Sequence, residues 1–241
     1  MRWLRSLHAE WTKLRTLPST WWLLAATVVL TAAIGAAAAS SVTTRICPSP
    51  CHAPNTVKLS LSGIQLSQAI CLVLGTLSIG AEYATGTIRT TLTAMPAGRW
   101  RVLACKAATL SALTALAGAL SVLASLGLAR LILPTPPNTD ASLRAAGGSI
   151  LVLVLVTLLG LSLATLLRDT SGAITLGLGV LYVVPLLSQL LNSPTWRHRL
   201  QHWGPVPTSL PTDLWPGLGV LAAYAVGLLA VGGAAFRLRD A

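Results

Sequence analysis

Gly80–Lys106 reads GAEYATGTIRTTLTAMPAGRWRVLACK, a polar, basic stretch set between two long apolar runs. It carries one of the six acids and four of the seventeen bases of the chain. The run before it spans about residues 61–81 and the run after it about 102–133. A helix rising 1.5 Å per residue needs about 20 apolar residues to cross a bilayer, so each run is long enough. The second is longer than a bilayer requires and is expected to tilt or to extend beyond the lipid. The stretch therefore reads as a short connection between two membrane spans.

The rest of the chain agrees with that reading. Only 10% of the 241 residues are charged and 54% are hydrophobic, and mean hydropathy is +0.71. Soluble domains run near a quarter charged, so this composition cannot cover a globule in water. Further apolar runs fall at about 20–41, 147–167, 172–191 and 214–236. The expected fold is all-α: one polytopic domain over residues 1–241 with six transmembrane helices. Pro185 lies inside the fifth run, where a kink is expected. Run one is rich in small side chains (Ala32, Ala33, Gly35 to Ala39), which let helices approach closely in lipid.

Six spans put both termini on one side. With the N-terminus inside, eleven bases fall on inner segments and six on outer ones, which places both ends in the cytoplasm of a bacterial plasma membrane. The net charge of +11 would point to nucleic acid in a soluble chain. Here the bases flank apolar runs and meet the lipid bilayer, so nucleic acid is not the expected partner.

Leu4, Leu7, Trp11 and Leu14 recur at helical spacing, with Arg2, Arg5, Lys13 and Arg15 on the flanks. That pattern predicts an interfacial amphipathic helix over residues 1–18. Pro18-Ser19 breaks it, and Trp21-Trp22 mark the entry to the bilayer. The outer connection 134–146 reads as a proline-rich turn carrying Asp140 and Arg144. Before the last span, Trp196, Leu200 and Trp203 share one face of a short amphipathic segment. Cys71 and Cys105 belong to apolar runs and read as inert packing residues. Cys47 and Cys51 lie in a polar outer loop where a disulfide could persist, although the spacing alone does not fix the geometry.

No enzymatic constellation is present in the sequence. There is no G-x-x-x-x-G-K-[ST] phosphate loop, no G-x-S-x-G elbow and no H-E-x-x-H pair. His198 and His202 are spaced for one metal ion on a helix face, but a solvated polar face is the better reading, and no cofactor is expected. No acid, base or histidine falls at the middle of a span, where ion and proton carriers usually keep one. Polar groups there are limited to Gln65, Gln68, Gln189 and hydroxyls. Energy for moving a solute would then come from another subunit.

Within the opening stretch, Thr85 can cap a helix and Gly86 lets the backbone turn. Ile88, Leu92 and Met95 then fall at i, i+4 and i+7, giving one apolar face to a short helix that ends at Pro96-Ala97-Gly98. A basic loop that only sets topology would explain the arginines alone; the combined pattern reads as a docking element. Glu10-Trp11-Thr12-Lys13-Leu14-Arg15-Thr16, Ser19-Thr20-Trp21-Trp22, and Glu82-Tyr83 with Gly86-Thr87-Ile88-Arg89 through Leu92 and Pro96 carry a resemblance. The chain resembles the membrane-spanning permease subunits of ABC-2 type ABC transporters, in the compact form common in actinobacteria.

The resemblance implies that Glu82, Tyr83, Gly86, Thr87, Ile88, Arg89, Leu92 and Pro96 form a cytoplasmic coupling helix between spans two and three. The partner gripping it would be an ATP-binding cassette ATPase subunit. It also implies a second permease subunit, identical or related, with the translocation path between the two and export as the direction. Arg168-Asp169-Thr170 would be a minor contact. The alternative is a stand-alone six-span channel-like or scaffolding protein with no ATPase partner.

Overall fold

The computed structural model describes residues 11–43, 63–86, 99–132, 139–190 and 214–239, and among them every regular element is helical. Helical residues 11–16 lead into α1 (Pro18–Thr43), followed by α2 (Ile64–Ala84), α3 (Arg99–Ile132) and α4 (Thr139–Leu167). Helix α5 runs as Thr170–Leu178, a π-helical turn Gly179–Val183, and Val184–Leu190. Helix α6 is Leu214–Arg239. Five of these hold stretches long and apolar enough to cross a membrane: Pro18–Ser40, Ile64–Ala84, Val102–Leu128, Leu143–Leu167 and Thr170–Leu187. Helix α6 adds the shorter apolar stretch Leu218–Ala234. The protein is an all-α, multi-pass membrane protein, as its apolar runs predict.

Helix α4 is the centre of the bundle. Of its apolar window 67% is buried, against 28% for α1 and 17% for α5. It packs on α2, α6 and α3, while α1 packs on α3 and α2. The α2–α4 crossing is made by glycines on both sides. A Cβ on Gly75 would strike the Thr157 carbonyl oxygen, and a Cβ on Gly160 would strike the Leu72 carbonyl oxygen. Two backbones meet there with no side chain between them. Leu72 and Leu74 on α2 and Val152, Leu153, Val156 and Leu159 on α4 are all buried.

Buried hydroxyls mostly bond within their own helix. Thr27 donates to Leu23 O, Thr114 to Leu110 O, Thr157 to Leu153 O and Ser149 to Ala145 O, at 2.7–2.9 Å. Such back-bonding satisfies a polar group where no water is at hand. Along α1 the buried positions Thr27, Thr31, Gly35 and Ala39 repeat every four residues. Of the small residues of the first run, Gly35 and Ala39 are buried, while Ala33 and Ala37 are exposed.

Three boundaries differ from expectation. The proline-rich turn expected over 134–146 is helical from Thr139 onward. An acid in the first turn (Asp140), followed by Ala-Ser-Leu-Arg-Ala-Ala, favours helix and outweighs the nearby prolines. The break expected at Pro18 consists of Leu17 alone, and Pro18 opens α1, where its missing N–H and fixed φ cost nothing. At Pro185 the disturbance takes the form of the preceding π-helical turn, in which the Val184 N–H bonds Gly179 O. Proline has no N–H and would clash with the carbonyl four residues back, so the helix widens by one residue before it.

Helical residues 11–16 cover half of the stripe expected at the N-terminus. Leu14 is buried in the bundle beside Leu24, Trp11 is 39% exposed, and the Trp21 Nε1 donates to Arg15 O at 3.1 Å. Leu4 and Leu7 lie outside the described residues, as do Cys47, Cys51, His198, His202 and the Trp196–Trp203 segment.

Candidate functional site

The last two turns of α2 lead directly into residues 87–98, and their side chains form a junction of charged and aromatic groups. Glu82 lies two residues before the helix end. Its Oε1 accepts from Lys106 Nζ of α3 at 2.9 Å and from Lys13 Nζ, ahead of α1, at 3.3 Å. Lys106 Nζ also donates to the Ser78 carbonyl, one turn earlier on α2, at 2.9 Å. The side chain of Lys106 is only 4% exposed, that of Glu82 14% and that of Lys13 45%. An ammonium withdrawn from water to this degree needs a charged partner and further acceptors; Glu82 and the Ser78 carbonyl supply both.

The end of α2 is built to stop there. The Thr85 hydroxyl donates to Ala81 O at 2.8 Å and the Thr85 N–H to the same oxygen at 3.1 Å. Gly86 follows with φ +69°, a left-handed conformation that glycine adopts freely, and its N–H bonds Tyr83 O. Thr85 therefore closes the second span.

Tyr83 and Gly80 connect the same end of α2 to the α4–α5 connection. The Arg168 guanidinium lies over the Tyr83 ring, 6.0 Å from its centroid, within cation–π range. Arg168 itself has φ +56°, and its N–H bonds Ala164 O, so it terminates α4 in a conformation usually left to glycine. Asp169 then caps α5: its carboxylate accepts from the Ser171 hydroxyl at 2.8 Å and the Gly172 N–H at 2.7 Å. These bonds hold the Asp169 carboxyl below the usual carboxylate range. A Cβ on Gly80 would strike the Thr170 hydroxyl, so α2 and α5 are in close contact at this point.

Helix α3 begins beyond this junction. Lys106 is seven residues from the start of α3 at Arg99, or about 10 Å along the axis. The extension is braced on α6, because the Trp100 indole covers Gly233 so closely that a Cβ there would overlap the ring.

Of the residues predicted for docking, the structure places Glu82, Tyr83 and Gly86 together at the exit of α2. Thr87, Ile88, Arg89, Leu92 and Pro96 lie outside the described residues. Arg168-Asp169-Thr170 does meet α2, through Tyr83 and Gly80. In the sequence Lys13 reads as a flank of the N-terminal amphipathic helix, and neither Lys106 nor Trp100 is assigned a contact. One signal was available: only three bases of this arginine-rich chain are lysines, and two of them meet the same carboxylate oxygen. Cys71 and Cys105 are buried and unbridged, in keeping with packing roles.

The arrangement is a mechanical junction, tying the exit of one span to three other parts of the bundle. No curated protein matches the chain. The family described as ABC-2 family transporter protein matches residues 64–200, which begin at the first residue of α2 and include all of α3, α4 and α5. More than half of the sequence lies within that match, and together with the multi-pass helical fold it assigns the chain to the ABC-2 family of transporter proteins.

Proposed function

We propose that this ABC-2 permease is an exporter subunit, powered by a separate ATP-binding cassette ATPase that grips Glu82–Pro96. The observation that carries the reading is the anchored exit of α2. Glu82, held by Lys106 and Lys13, lies close before residues 87–98, so a displacement of that segment would be passed to the spans. The sequence offers no phosphate-binding loop of its own, which accords with ATP hydrolysis on a partner. Six spans are half of a transporter in this architecture, so two permease subunits would pair with two ATPases and enclose the path between them. Both termini, and with them the docking element, would face the cytoplasm. Export is the direction implied by the resemblance of the Glu82–Pro96 and N-terminal motifs.

The test is co-purification from native membranes, together with inspection of the adjacent reading frames. A span-free protein with a phosphate-binding loop should be encoded nearby and should copurify with the tagged wild type. The double variant Ile88→Ala/Arg89→Ala should lose it while remaining inserted and monodisperse. Retention of the ATPase by that variant would move the docking site elsewhere. If no ATPase copurifies and none is encoded nearby, the stand-alone channel-like or scaffolding alternative replaces this reading.

A further inference from the structure

Lys106 and Lys13 meet the same oxygen of Glu82 in different settings. Lys106 is 3% exposed, and Leu103 and Leu110, three and four residues away on α3, and Ile79, beside Ser78 on α2, are buried. It grips α2 at two points one turn apart, the Ser78 carbonyl and the Glu82 carboxylate, each at 2.9 Å. Two grips on one helical turn resist both sliding along the axis and rotation about it. Lys13 reaches the carboxylate at 3.3 Å from a side chain that is 45% exposed. Taking the carboxylate away from Lys106 leaves an ammonium in an apolar, packed setting, which is heavily penalised. Taking it away from Lys13 exchanges an accessible ion pair for hydration, at little cost.

We propose that Lys106 is a positioning residue that locks the exit of α2 to α3, so that both helices flanking residues 87–98 move as one body. Lys13 is the releasable contact, through which the segment ahead of α1 joins or leaves that body. The proposal rests on the reading of Glu82–Pro96 as the docking element. Under it, a push on that element moves α2 and α3 together instead of spreading them apart. The push reaches α6 through Trp100 on Gly233.

Amide hydrogen exchange of the full chain in nanodiscs of phosphatidylethanolamine and phosphatidylglycerol tests this without any partner. Lys106→Met should speed exchange of the amides of residues 81–86 about tenfold, whereas Lys13→Met should stay within about twofold of wild type. The double variant Glu82→Gln/Lys106→Met leaves no stranded charge at this pair. It should recover the wild-type thermal midpoint and still exchange fast at 81–86, a combination that a purely stabilising pair would not produce. It also carries the test if Lys106→Met alone fails to insert. Wild-type exchange in the double variant, or equal effects of Lys13→Met and Lys106→Met, overturns the lock. Failure of the wild-type chain to bind any ATPase overturns the docking reading instead and leaves the exchange result standing.

Discussion

Gly75→Ala tests whether the α2–α4 crossing is as close as the structure has it. The new methyl would meet backbone: the Thr157 carbonyl oxygen, and the Leu161 nitrogen at 3.0 Å. Neither can rotate away as a side chain can, so the helices themselves must separate, by about 1 Å or more to reach an ordinary carbon contact. A gap of that size forfeits about a quarter or more of the dispersion well at each flanking pair, including those around Leu72, Val156 and Leu159. Overpacking of this kind costs about 1–3 kcal/mol, and a rigid backbone obstacle argues for the upper half of that range. The usual helix-propensity gain of alanine over glycine offsets little of it, because helices persist in the unfolded state within a micelle.

Gly127→Ala is the control, since nothing lies within 4 Å of a Cβ there; it should change stability by less than about 0.5 kcal/mol. Equilibrium unfolding in detergent reads both. Gly160→Ala pushes on the same crossing from the other side, so the double variant Gly75→Ala/Gly160→Ala should cost less than the sum of the two singles. Gly75→Ala melting with Gly127→Ala, or strict additivity in the double, would refute the close crossing.

Other positions give independent checks. Arg168→Gly relieves a left-handed residue by about 1–2 kcal/mol and loses a cation–π contact of about 0.5–1 kcal/mol, so it should be neutral or slightly stabilising. Arg168→Ala keeps the strain and loses the contact, and should unfold at the lower denaturant concentration of the two. The Asp169 pKa is depressed in the folded state, so its cap contributes above the unfolded carboxylate pKa and is lost as pH falls through the folded value. Thermal midpoints should therefore converge for wild type and Asp169→Ala only under acid conditions, below about pH 4, and lie apart at neutral pH. Gly233→Ala would drive a methyl into the Trp100 ring, at a cost of about 1–3 kcal/mol. Trp100→Leu in the same chain should recover most of that loss in the same unfolding assay.

The spans were legible because the bilayer imposes a simple demand, about 20 apolar residues per crossing, and the chain meets it run by run. Their partners were not. Nothing local distinguishes Gly75 and Gly160 from the other glycines among the twenty in the chain, yet these two make the central crossing. Glu82 was legible as an acid at the end of the second apolar run, beside a basic stretch. Its hold on Lys106 and Lys13 was not, because sequence separations of 24 and 69 carry no periodic signal. Thr85 was legible as a cap, but only the fold decides which helix it closes. The helical start at Thr139 was hidden by Pro136 and Pro137, whose breaking effect stops just short of it.

One asymmetry among the polar contacts bears on how such a bundle moves. Thr31 bonds Ser67 at 2.6 Å, and the Tyr182 hydroxyl donates to Gln65 O at 2.6 Å. Lys106 and Lys13 close on Glu82, and Arg168 covers Tyr83. Each of these contacts ends on α2, from its first turn to its last. The hydroxyls of Thr114 on α3 and Ser149 on α4 turn back to their own helices. The second span is thus an axle with polar pins along its length. Torque applied at either end of that axle reaches every pinned part.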